Sequence, residues 1–127
     1  MNKIIVGLLF IVLLGGGGYF IFRRVVVNKS EGGIPAGAVV IKMRDEDYQP
    51  SVVTIKKGQT VLFVNESKDA RWPASNIHPT HEIYPEFDPK QPIVSGKSWS
   101  FTFDKAGEWR MHDHLAPYIT GSVKVDE

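Results

Sequence analysis

SWSFTFDKAGEWRMHDH, residues 98–114, is the stretch whose pattern decides the fold class. Trp99, Phe101 and Phe103 alternate with Ser98, Ser100 and Thr102, the period of two that a strand shows when one face meets a core and the other meets water. Asp104-Lys105-Ala106-Gly107 then carries turn chemistry and predicts an antiparallel hairpin with the run that follows. In that second run Trp109 and Met111 share the inward parity. Strict alternation carries Asp113 inward with them and leaves His112 and His114 facing outward.

The same grammar extends to both sides. AVVIKM (38–43), SVVTIK (51–56), TVLFVN (60–65) and TGSVKV (120–125) are short and rich in β-branched residues, and Gly, Pro, Asn and Asp separate them. Lys57-Gly58 predicts a second hairpin, and in the last run Val123 and Val125 are expected inside with Ser122 and Lys124 in water. No run keeps a helical period, so the expectation is an all-β sandwich. Asn65 to Pro92 has no regular pattern, and irregular stretches of that length are often functional. Within it Trp72, Tyr84 and Phe87 are expected to form a capping minicore, while Glu82, Glu86 and Asp88 are expected at the solvated surface.

Composition narrows the chemistry. The 127 residues include 15 basic and 14 acidic side chains, a net charge of +1 without a long run of one sign, which argues against a nucleic-acid partner. There is no cysteine, so disulfides, thiolate nucleophiles, iron–sulfur clusters and thiolate-bound copper are excluded. Serine and histidine lack nucleophile-elbow spacing, no glycine-rich phosphate loop is present, and no buried carboxylate pair is evident; the expectation is a protein that is not an enzyme.

Ile4 to Phe22 is an apolar and glycine run between Lys3 and Arg23-Arg24, about the length of one membrane span. It predicts a single N-terminal transmembrane helix, with a removable signal segment as the alternative. Residues 1–24 are thus read as anchor or signal, 25–37 as a flexible linker and 38–127 as the folded domain. The domain is expected on the extracytoplasmic side, although the positive-inside rule applied to Arg23-Arg24 pulls the other way.

All four histidines fall in two short clusters, His78-Pro79-Thr80-His81 and His112-Asp113-His114. Two strand histidines on one face, met by two from a loop, suit a transition metal, and Glu82 and Asp113 add oxygen donors nearby. Such a mixture fits Cu(II) or Zn(II), with copper favoured; the alternative is that each histidine serves only local hydrogen bonds.

YQPSVVTIKKGQTVLFVNES (48–67) and SGKSWSFTFDKAGEWRMHDHLAPYITGSVKV (95–125) together resemble the body of a bacterial cupredoxin domain. The resemblance implies a cupredoxin-like Greek-key β-sandwich. In that family the strand after the glycine-aromatic turn leads to a copper-binding cysteine, then a histidine and often a methionine, with a further histidine upstream. Laid over this chain, the spacing puts Asp113 at the cysteine, Ala116 at the histidine, Ile119 at the methionine and Arg71 or Trp72 near the upstream histidine. A blue-copper centre is therefore not expected. Two readings follow: a histidine-built metal site with a role in copper handling, or a metal-free interaction module in which an Arg71–Asp113 ion pair replaces the metal. Electron transfer, by analogy of fold, is a third. Partners expected are a metal ion, the membrane, and a protein of a copper-handling or respiratory complex.

Overall fold

The structure, a computed structural model, describes residue 34 and residues 36–127. The expected anchor over residues 1–24 and most of the linker lie outside the described residues. Among the described residues no helix is long and apolar enough to cross a membrane.

The described residues form eight strands in chain order: β1 Val39–Met43, β2 Tyr48–Gln49, β3 Val52–Lys56, β4 Thr60–Asn65, β5 Pro73–Ser75, β6 Ser98–Thr102, β7 Gly107–Asp113 and β8 Thr120–Asp126. They make two four-stranded sheets, ordered β2-β1-β4-β6 and β3-β8-β7-β5. All six runs read as strands are strands. The two-residue β2 and the three-residue β5 were not anticipated, being too short to show alternation.

Both predicted hairpins are corrected. The chain passes from β3 to β4 at Gly58 and from β6 to β7 at Gly107, and in each case the two strands belong to different sheets. Each turn is thus an arch over the edge of the sandwich. The partners are non-local: β3 pairs in parallel with β8 and β1 in parallel with β4, while β4 pairs antiparallel with β6. A turn signal marks a reversal of direction but does not say whether the second strand returns beside the first or across the core.

Alternation fills the space between the sheets. Val61 and Phe63 of β4, Val53 and Ile55 of β3, Met111 of β7, and Val123 and Val125 of β8 are all buried. Ser122, expected in water, is also buried, and its N–H donates to the Ser51 carbonyl beside β3. The expected minicore forms from Tyr84 and Phe87 but without Trp72, which lies against His114 instead: Phe87 stacks on Trp99 and Phe101, and Tyr84 packs edge-on against Phe101 and tilted against Trp109. The Tyr84 hydroxyl donates to Asp104 at 2.5 Å, and burial together with that bond pushes its pKa up to about 12. Phe87 therefore plugs one side of the sandwich with residues from the long loop.

Three bonded links fix that loop. Buried Asn65 donates through Nδ2 to the carbonyls of Asp69 and Ile93, tying the start of the loop to its end. Arg71 and Ile93 exchange both backbone hydrogen bonds. Finally β5 pairs with β7 in the register Ala74↔His112, which lays the residues after β5 over the histidine end of β7.

Candidate metal centre

The β5–β7 register brings the two histidine clusters together. One ring nitrogen from each of His78, His81, His112 and His114 lies within 4.8 Å of the other three. His78 Nδ1 is 3.3 Å from His112 Nε2, and His114 Nδ1 is 3.1 Å from His81 Nε2. Four nitrogens bound to one tetrahedral ion at about 2.0–2.1 Å stand roughly 3.3 Å apart, so the two close pairs already have that spacing.

The surroundings orient two of the rings. Asp88 Oδ2 accepts from His81 Nδ1 at 2.7 Å, and Asn76 Oδ1 accepts from His112 Nδ1 at 2.9 Å. With Nδ1 carrying the proton in both rings, each Nε2 turns a lone pair toward the cluster centre. Carboxylate and amide partners of this kind fix the tautomer of ligating histidines and raise their basicity. Each Nε2 then accepts from a neighbouring imidazole N–H, and a cation in the centre would replace those two bridging protons and meet four lone pairs. Burial, then the adjacent His81, His78 and His114 rings, lower the His112 pKa to about 4. Burial and the neighbouring His81 and His78 lower that of His114 as well. Neutral imidazole is the metal-binding form.

Local sequence explains the loop's shape. Ser75 Oγ lies 2.8 Å from the carbonyls of both His81 and Tyr84 and accepts the Tyr84 N–H. His81 itself has φ +55°, a left-handed conformation that is uncommon outside glycine but enriched in histidine. Asp88 accepts from Trp72 Nε1 and from the Lys90 N–H as well as from His81. Burial works to raise its pKa, but these three donors outweigh it and hold the carboxyl below the usual range.

Several expectations change. His112 and His114 do point away from Met111 and Asp113, but the loop covers them: His112 is only 3% exposed. Asp88, read as a solvated acid, is a buried partner of His81. Asn76 was not singled out, and the Asp-Pro-Lys turn at Asp88 was the available signal for the other. Glu82 is exposed and outside the four-histidine cluster.

Asp113 is not a ligand candidate either, because its carboxylate is fully used on the inner side of β7. It accepts from the Tyr48 hydroxyl and from the N–H groups of Trp72, Leu115 and Ala116. The predicted Arg71–Asp113 pair is absent. Arg71 instead donates to the carbonyls of Arg44, Ala70 and Asp45. Backbone N–H groups at the end of β7 lie closer to Asp113 than any side-chain cation and satisfy it first.

A family model described as the cupredoxin-like domain matches residues 20–125. This chain belongs to that family. Amicyanin from Paracoccus versutus superposes on the cupredoxin-like domain with a TM-score of 0.64 at 27% identity, covering 75% of this chain and 87% of that one. The reduced state of an amicyanin mutant gives the same TM-score at 22% identity over 75% and 88% of the two chains. A Cu-containing nitrite reductase from Thermus scotoductus SA-01 matches at TM-score 0.58 and 24% identity, over 71% of this chain and 22% of that one. No curated protein matches the sequence.

A thiolate-bound copper centre does not fit this member. There is no cysteine in the chain. Asp113, Ala116 and Ile119 are buried in a tight backbone-bonded turn, with Ala116 N–H donating to Asp113 and Ile119 N–H to Ala116. Two of the three positions are apolar, and the third has no free lone pair to spare. The histidine cluster stands on the opposite side of β7.

Proposed function

We propose that this cupredoxin-like domain binds a single transition-metal ion through His78, His81, His112 and His114, with copper favoured and zinc the alternative. The observation that carries the reading is the convergence of four imidazole nitrogens within 4.8 Å, two of them with their lone pairs oriented by Asp88 and Asn76. Chance hydrogen bonding of four histidines does not require them to share one centre.

An all-imidazole set lacks the sulfur-to-copper charge transfer of a thiolate centre, so a copper form is pale and exchanges electrons slowly. Copper storage, delivery or sensing suits it better than electron transfer. The apolar run from Ile4 to Phe22 supports a membrane-tethered domain, and the reading sets that domain on the extracytoplasmic side beside a partner from a copper-handling or respiratory complex. The metal-free alternative loses its structural support with the Arg71–Asp113 pair.

Calorimetric titration with Cu(II) and Zn(II), set beside a variant with all four histidines replaced by alanine, tests the reading. One-to-one binding that the variant loses, without intense visible absorption in the copper form, is expected. Uptake of neither ion by the unaltered chain refutes it.

A further inference from the structure

We infer that a metal ion enters and leaves the cluster through His78, by ligand exchange at that one side chain. The inference rests on the metal-binding reading above and adds to it the order in which the ligands let go.

Three of the four imidazoles are held by the fold. His81 is bonded to Asp88, and the two side chains are only 6% and 8% exposed. Asp88 is held in turn by Trp72 Nε1 and the Lys90 N–H. His112 is locked through Asn76, whose own N–H donates to the Arg110 carbonyl on β7. His114 directly follows β7, its N–H donates to the Trp72 carbonyl, and its ring lies 4.7 Å from the Trp72 ring. His78 has none of these supports. It is exposed, it lies on the loop, and its one side-chain hydrogen-bonding neighbour among the described residues is His112 Nε2. That nitrogen is one of the atoms offered to the metal.

The consequence follows from what each departure breaks. Swinging His81 away takes the hydrogen-bond donor from Asp88 Oδ2, on a side chain only 8% exposed, and swinging His112 away takes the donor from the half-buried Asn76 Oδ1. Moving His114 forfeits its contact with Trp72. Moving His78 into water breaks only links inside the cluster, the one to His112 Nε2 and its ring contacts with His112 and His114, and opens one position on the ion. Three histidines and an open fourth position is the arrangement through which metal sites accept an outside ligand. The incoming group is a nitrogen or oxygen donor, an imidazole or carboxylate of an acceptor, presented at the His78 mouth.

The full chain in mild detergent, loaded with one equivalent of Cu(II), is mixed with nitrilotriacetate in a stopped-flow instrument. Recovery of tryptophan emission reports loss of the ion, because Trp72 lies against His114. His78→Ala is expected to keep one-to-one binding with a smaller loss of affinity than His112→Ala or His114→Ala, and to transfer copper about tenfold faster or more than the unaltered chain. His114→Ala serves as the comparator if His112→Ala fails to fold. An unchanged transfer rate in His78→Ala, or affinity losses equal to those of the comparators, overturns the exchange route while the four-histidine site stands. Failure of the unaltered chain to take up copper overturns both.

Discussion

Asp113→Ala tests the claim that a carboxylate has replaced the family's cysteine as a structural cross-link. The side chain is 0% exposed and accepts from Trp72 N at 2.8 Å, Leu115 N at 2.9 Å, Ala116 N at 3.0 Å and the Tyr48 hydroxyl at 3.3 Å. The four losses are unequal. Leu115 is half-exposed, so its N–H can turn to water, and Ala116 N keeps the Asp113 carbonyl at 3.2 Å. Trp72 N and the Tyr48 hydroxyl keep nothing. Each stranded buried group costs about 1–3 kcal/mol, which puts the whole change at roughly 3–4 kcal/mol. Urea unfolding of the metal-free protein in the presence of a chelator, followed by tryptophan emission, measures it. Asp113→Asn, which keeps one acceptor oxygen, is expected to fall between the two. Exposed Val52→Ala should stay within about 0.5 kcal/mol. A loss below about 1 kcal/mol for Asp113→Ala would refute the cross-link, since it would mean that water satisfies the same donors.

Other outcomes follow from the same structure. Folded His112 titrates at about 4, whereas the unfolded imidazole titrates near 6.5, so between those values the unfolded chain binds a proton that the folded chain does not. The metal-free protein should hold this contribution in full above about pH 6.5 and lose it, on the order of 2–3 kcal/mol, as the pH falls toward 4; His112→Gln should flatten that slope in denaturant midpoints taken across the range. Asp88→Asn should weaken metal affinity by about 10–100-fold in a competition titration while the ligands remain, because the bond that orients His81 is altered. Phe87→Ala should cost about 3–5 kcal/mol in thermal or chemical unfolding, since the ring is fully buried against Phe63, Phe101 and Phe103.

Much of the sandwich was legible because its strands advertise themselves one at a time. Trp99, Phe101 and Phe103 carry their own period, as do Val123 and Val125. Pairing is a property of two distant segments, and nothing local at Gly58 or Gly107 distinguishes an arch from a hairpin. The site was half legible for a related reason. His112 and His114 are two apart on a strand, so their common face could be derived, and the pair in the loop could be named as partners. What lay over them could not, because the cover depends on β5, three residues long, and on its register with β7. Asp88 and Asn76 were hidden in the same way: their roles come from a loop conformation that Asn65 and Ser75 set from a distance. Arg71 was assigned to Asp113 by its charge and by its place near the family's upstream histidine, whereas backbone N–H groups supply nearer and already positioned donors.

The placement of β8 bears on how the molecule comes into being. β8 lies between β3 and β7, so the last strand in chain order completes the middle of its sheet, and among the described residues β3 has no other partner. Val53 must wait for Val123, seventy residues later, before its ladder can form. A nascent chain emerging at about 5–20 residues per second therefore holds half of its sandwich open for several seconds, and folding is confined to the period after synthesis of that strand. Such reliance on distant pairing belongs to the slow, millisecond-to-second class of folding reactions. Until then β3 and β7 stand without the strand between them, and an open sheet of this kind is a form that a protease can take.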